Sequence, residues 1–303
     1  MNRRQALAKS AAVQALRIRA SVHVKPWDAI DIFDLTQQLA VEVRFAKISS
    51  MEGMYLRQSA PTILIASERP AGRQRFSCAH ELGHHVFGES SRIDELFDPN
   101  LQKERSDEEV RADMFAGMLL MPKSTVDRAF SSRKLNPETA DQFEFFRVAC
   151  ALGVGYSTLA EHLHYALNAI TENRLAAIER CTPKKIRESV LGQSESEELI
   201  LVDEQWSGRP ADASVGDFLL IPPASSAEGL CCEFRANLKQ GTLFQAVTPG
   251  VGRFESSSGW AAFVRISRKH YEGRSTFRHL EEVEHDLGDQ WSLRVKMRRT
   301  PGR

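Results

Sequence analysis

Through the first 180 residues the apolar positions recur mostly at helical spacing, and beyond about residue 199 they fall into short runs divided by Gly, Pro, Ser and Asp. The first regime predicts helices over 1–20 and Pro26–Leu39, a strand where Val41–Ile48 alternates, and a short apolar strand at Thr62–Ala66. Phe76, Ala79, Leu82, Val86 and Phe87 would bury one side of a further helix. Glu109–Met121 reads as a second apolar-striped helix, stopped by Pro122. Between these two, Gly88–Ser106 reads as a loop bordering a cleft. Helical spacing continues through Ser124–Phe130, Pro137–Leu152 and Ser157–Ile170, the last two joined by Gly153-Val154-Gly155.

That glycine-jointed pair has the outline of a helix-turn-helix unit. Glu161 lies on the would-be recognition helix, basic residues are few and no base-reading Arg or Asn is evident, so the expectation is a scaffold pair and not a DNA reader. Thr182-Pro-Lys-Lys and Gly192–Glu198 carry turn-forming and charged residues without an apolar period and read as a linker. After it, Leu199–Val202, Phe218–Ile221, Leu230–Phe234, Leu243–Val247 and Trp260–Ile266 predict strands, while Trp206–Pro210 and Gly250–Phe254 look like loops. The expected organisation is a core over 1–122, a helical extension over 123–180, a linker over 181–198, an all-β domain over 199–275 and a charged tail over 276–303.

Composition narrows the setting. A formal net charge of zero gives no bulk attraction to nucleic acid, and no run is apolar and long enough to span a bilayer or to act as an export signal. Cys78, Cys150, Cys181, Cys231 and Cys232, odd in number, form neither a disulfide framework nor a Cys-x-x-Cys metal clip, as expected of reduced thiols in a cytoplasm.

The chemistry concentrates at His80-Glu81-Leu82-Gly83-His84. Residues four apart on a helix share a face, about 5–6 Å apart at Cβ, so His80 and His84 can each give a nitrogen to one metal ion. A catalytic zinc keeps an open position for water, and Glu81 beside it is the candidate general base. Glu109 supplies a third ligand from the second striped helix, and Asp113, one turn on, can take the free N–H of a ligand histidine and fix its tautomer. Taken alone, Asp107, Glu108 and Glu109 would be read as acids favoured at a helix start. His85 is rotated about 100° from His84 and is expected to pack structurally, and Cys78 reads as a small core residue. Tyr55, Tyr156 and Arg73 are open candidates for stabilising a tetrahedral intermediate.

Phe76-Ser-Cys-Ala-His-Glu-Leu-Gly-His-His85, followed by Glu109-x-x-Ala-Asp-x-Phe-Ala-x-x-Leu-Leu-Met-Pro122, resembles the ImmA/IrrE metallopeptidases over roughly residues 10–170. The resemblance implies one zinc ion held by His80, His84 and Glu109, with Glu81 as catalytic acid/base. It departs at Asp113, where the family more often has Asn, and at Gly117, where it often has Ala. The implied fold is α+β: a zincin-like metallopeptidase domain of gluzincin type with a helical extension, followed by the small mostly-β domain, here expected to be a regulatory or partner-binding module. The implied activity is site-specific cleavage of a helix-turn-helix transcriptional repressor in stress response or mobile-element and phage control. No repressor-like domain precedes the peptidase region, so the repressor is expected on a separate polypeptide. Two other readings compete: a non-proteolytic protein that docks a repressor or toxin around a structural zinc, and direct DNA binding through 150–170. Glu81 argues against the first, since a closed structural site has no use for an unligated carboxylate.

Overall fold

The computed structural model describes residues 3–89, 92–95, 106–192, 197–207 and 209–280. Among them, helices and three small sheets form a mixed α/β protein. Helix α1 (Arg3–Ser21) buries Ala11, Ala15 and Arg19 in one row, and the two alanines let it lie close on α4 (Asp107–Leu120). Arg19 is 2% exposed and closes that contact: its guanidinium donates to the Leu119 carbonyl at 2.8 Å and to Thr125 Oγ1 at 3.2 Å. A cation here meets the negative end of α4, although burial lowers the Arg19 pKa to about 10, partly countered by Asp28. Helix α2 (Ile32–Gln38) is shorter than the expected Pro26–Leu39, because the Asp31 side chain caps it by accepting from the Phe33 and Asp34 N–H groups.

The first sheet has the order β13-β1-β3-β2-β4, built from β1 (Glu42–Ala46), β2 (Met51–Leu56), β3 (Thr62–Ala66), β4 (Arg92–Glu95) and β13 (Gly273–Arg274). Strands β1 and β3 are parallel and the remaining pairs antiparallel. Val43, Phe45, Ile63, Ile65 and Tyr55 are buried on it, and α3 (Ala71–Val86) packs on β2 and β3. Strand β4 lies inside the stretch read as a loop, and its antiparallel pairing with β2 places it at the sheet edge.

Helices α5 (Lys123–Ser131), α6 (Gln142–Leu152) and α7 (Tyr156–Glu161) follow, the last running into a π-helical turn at His162–Ala166. Helix α6 starts later than Pro137 because Asp141 and Glu144 form a reciprocal capping box. His162 explains the departure at 117: its Nε2–H donates to the Met121 carbonyl at 2.8 Å, and a Cβ on Gly117 would lie 2.8 Å from its Nδ1. After α8 (Glu172–Glu179), half of the expected linker is helix, α9 (Pro183–Leu191). Thr182 caps it, Pro183 opens it and Gly192, at φ +73°, ends it.

The β-rich part forms two four-stranded sheets. One has the order β5-β7-β10-β9, from β5 (Leu199–Leu201), β7 (Phe218–Ile221), β9 (Cys232–Leu238) and β10 (Gly241–Ala246). The other has the order β6-β12-β11-β8, from β6 (Ala211–Ser214), β8 (Ser225–Glu228), β11 (Gly250–Ser256) and β12 (Ala261–Ser267). Leu219, Ile221, Phe244, Phe254, Val264 and Ile266 pack between the two sheets. Leu199, Leu201, Leu220 and Leu243 belong instead to the core shared with the helices. This is why Phe218–Ile221 is a continuous apolar run: both its faces are covered. Gly250–Phe254 is therefore strand, with Phe254 fully buried, and not a ligand-holding loop. In the Trp206–Pro210 segment, Arg209 stacks on Trp206 and donates to the Cys150 and Ala151 carbonyls at the end of α6.

A buried ionic cluster joins the β-rich part to the first sheet and its helices. Arg265 of β12 donates to Asp31, Asp34 and Asp212, while Arg278 and Arg75 also reach Asp212. Burial alone would push the Asp212 carboxyl up, but Arg278, Arg75 and Arg265 together hold it well below the ordinary range. Arg278 is thus packed structure and not part of a solvated tail; 281–303 lie outside the described residues. Among the described residues no helix is long and apolar enough to cross a membrane.

Two outcomes are expected. Gly117→Ala should destabilise by about 1–3 kcal/mol through overpacking against His162, and His162→Ala should recover part of that loss. Urea unfolding of both single variants and the double variant tests this, and purely additive effects would rule the clash out. The second concerns Asp217, whose carboxylate accepts from the Ser214 and Glu198 N–H groups. Burial raises its pKa to about 6, against those two donors. A carboxyl that titrates higher folded than unfolded stabilises the fold at low pH, and this contribution is lost as pH rises through about 6. The stability of wild type relative to Asp217→Asn should therefore fall between about pH 4 and pH 6, and a rise in that difference would refute the assignment.

Candidate metal centre

Helices α3 and α4 meet where α3 lacks a side chain. A Cβ on Gly83 would lie 3.2 Å from the Ala112 Cα and 3.2 Å from the Phe115 ring, so the absence of a side chain there eases a close approach of the two helices. Ser106 caps α4 by accepting from the Glu109 N–H, and this first turn faces the second half of α3.

The contact brings three of the expected residues together. Ligand atoms of His80, His84 and Glu109 lie within 4.8 Å of one another. His80 Nε2 is 3.1 Å from His84 Nε2 and 3.3 Å from Glu109 Oε2, and His84 Nε2 is 3.6 Å from Glu109 Oε1. The other imidazole nitrogens turn outward. His80 Nδ1 is 2.9 Å from Asp113 Oδ1. His84 Nδ1 bonds Glu89, whose second carboxylate oxygen takes Arg111.

These partners set the tautomers. An ionised carboxylate can only accept, so Nδ1 of each imidazole carries the proton and Nε2 presents a lone pair inward. Three acceptor groups then converge on one point. A tetrahedral ion with bonds of about 2.0–2.1 Å spaces its ligand atoms about 3.3 Å apart, and the three pairs here lie at 3.1–3.6 Å. The residues present fit a metal ion.

Glu89 was missed by the sequence reading, which placed it in the loop. Gly88, at φ +70°, turns the chain back at the end of α3, so that the Gly88 N–H bonds the His85 carbonyl and the Glu89 N–H bonds the His84 carbonyl. This double closure puts the residue after the glycine directly over His84. The legible signal was a glycine followed by an acid just past the histidine helix.

Glu81 is 2% exposed and packs against β2, where a Cβ on Gly53 would come within 3.0 Å of its Oε1. One turn on, His85 shares that row and bonds Tyr55 Oη at 2.9 Å, as its structural reading expects. Burial, then Arg57, lowers its pKa and keeps its ring neutral. Cys78 is fully buried, and burial holds its thiol protonated. Of the three open candidates, Tyr55 bonds His85 and Arg73 pairs with Glu52, while the Tyr156 ring packs among Phe145 and Phe146 and its hydroxyl is buried without a hydrogen-bond partner.

Glu89→Ala should weaken metal binding about 10–100-fold, the usual effect of losing a carboxylate behind a ligand histidine. Competition against a chromogenic chelator measures it, and unchanged affinity would deny Glu89 that role.

Residues 36–164 match the sequence profile of the peptidase M78 family, described as the IrrE N-terminal-like domain. No curated protein matches the chain.

Proposed function

We propose that this protein, whose residues 36–164 match the IrrE N-terminal-like peptidase profile, is a zinc-dependent endopeptidase of zincin-like fold, whose metal ligands are His80, His84 and Glu109. The observation that carries the reading is the convergence of those three acceptor groups, with Glu81, buried, next in sequence to His80. Bound there, zinc would supply Lewis acidity that polarises a peptide carbonyl and brings the pKa of water to about 7.

The chain's own residues do the remainder. Glu81 accepts the proton of the attacking water and returns it to the leaving amine nitrogen, a general-base then general-acid role. Its packing against Gly53 limits where the carboxylate can swing. Asp113 and Glu89 hold the protons on the outer imidazole nitrogens, and Arg111 fixes Glu89 in turn. By resemblance the substrate is a helix-turn-helix transcriptional repressor cut at one site, with the β-rich part regulating the peptidase or recruiting its partner.

Glu81→Gln keeps the size of the side chain and leaves the ligands in place. It should retain one metal per chain by elemental analysis while losing about 10²–10⁴-fold in cleavage of repressors from the same genome, the usual worth of a positioned base. Equal cutting by wild type and Glu81→Gln would remove Glu81 from the mechanism. Binding of a repressor by both, with cutting by neither, would replace the peptidase reading with a docking one.

A further inference from the structure

A second cavity lies at the opposite end of the histidine helix, between the first turn of α3 and the β-rich part. It measures about 50 Å³, room for several water-sized groups. Arg75, in its lining, precedes His80 by five residues, about 7.5 Å along the helix. Four observations converge on this place.

First, α3 is preceded by Pro70, which makes no side-chain cap, and its first turn holds no acidic residue. The positive end of a long helix is thus turned toward the cavity without a carboxylate of its own element to meet it. Second, Ser67 Oγ and Arg75 Nε, both in the lining and both on residues under a tenth exposed, are buried polar atoms with no hydrogen-bond partner. Such groups carry a desolvation cost that a bound acceptor would offset. Third, the lining residues themselves carry three arginines, Arg75, Arg268 and Arg278, and the single carboxylate of Asp212, with Arg278 also paired to Asp31 and Asp212 to Arg265 just behind the lining. His279 adds no charge near neutrality, since burial and then Arg278 pull its pKa down to about 3. Fourth, one wall is aromatic, with Phe33, Phe45 and Tyr271 in edge-to-face contact at 5.2 and 6.3 Å.

We propose that this cavity binds a small organic anion, a phosphate or carboxylate carried on a planar body. The anionic group would sit at the start of α3 on Ser67 and Arg75, with its planar part against the aromatic wall. Residues from α2, α3, β6 and the segment after β12 all line the cavity, so the ligand would bridge the β-rich part and the helix that carries His80 and His84. The proposal does not rest on proteolysis, and its test needs neither a metal nor a substrate.

Calorimetric titration of the full chain in a phosphate-free buffer would use three probes: inorganic phosphate, phenyl phosphate and benzoate. Saturable binding is expected, tighter for phenyl phosphate or benzoate than for inorganic phosphate, and whichever of the two aromatic probes binds more tightly identifies the anionic group. Ser67→Ala, which removes only a hydroxyl, and Arg75→Lys, which keeps a charge beside Asp212, should each weaken binding about tenfold or more. Circular dichroism checks that both remain folded. No saturable heat from any probe, or equal affinity in wild type and a folded Ser67→Ala, would overturn the site. Equal affinity for phosphate and phenyl phosphate would overturn the part played by the aromatic wall.

Discussion

The close approach of α3 and α4 is the constraint on which the site depends. Two histidines four apart place two nitrogens on one side of a helix, but a third ligand must come from another element held at a fixed distance. With Gly83 opposite Ala112, the helices approach until backbone meets backbone, and Glu109 and Asp113 come within reach of His80 and His84. A side chain at 83 would press on Ala112 and Phe115 and ask them to give by a few tenths of an ångström. The glycine of the histidine motif therefore has a packing role as definite as the chemical roles of its neighbours.

The same region is held from behind by charges that have little freedom to move. Arg19 joins α1, the end of α4 and Thr125 from a fully enclosed position. Arg111, half-buried, pairs with the buried Glu89 behind His84. Breaking one partner of such a pair leaves the other charge without compensation, which costs more than the pair itself contributes. Geometry at the candidate metal centre is thus set partly by electrostatic commitments one layer outside it.

Much of this was legible in the sequence. The histidine helix, the second striped helix and the placing of Asp113 followed from helical periodicity and from the chemistry that three ligands require. Glu89 escaped because its position depends on a left-handed glycine reversing the chain, a tertiary consequence of a local signal. Strands β2, β6, β8 and β11 escaped because glycine, alanine and serine dilute their alternation; Gly250-Val-Gly looked like a turn. The ionic cluster at Asp31, Asp212, Arg265 and Arg278 had no sequence signature, since its members lie up to 247 residues apart. Nor could a period count show that one face of the β5-β7-β10-β9 sheet completes the helical core, which blurs the boundary drawn near residue 199.

Strand β13 carries a consequence for how the chain reaches this state. Phe45 pairs with Gly273 and Arg44 with Arg274, so the edge of the first sheet is supplied by residues made long after β1 itself. Until then β1 presents an open row of backbone donors and acceptors, the kind of edge that recruits foreign strands. Contacts of such long sequence separation form slowly, and N-terminal segments ordinarily fold as they emerge. The first sheet would spend its early life unfinished, with a short segment beyond β12 acting as the piece that seals it.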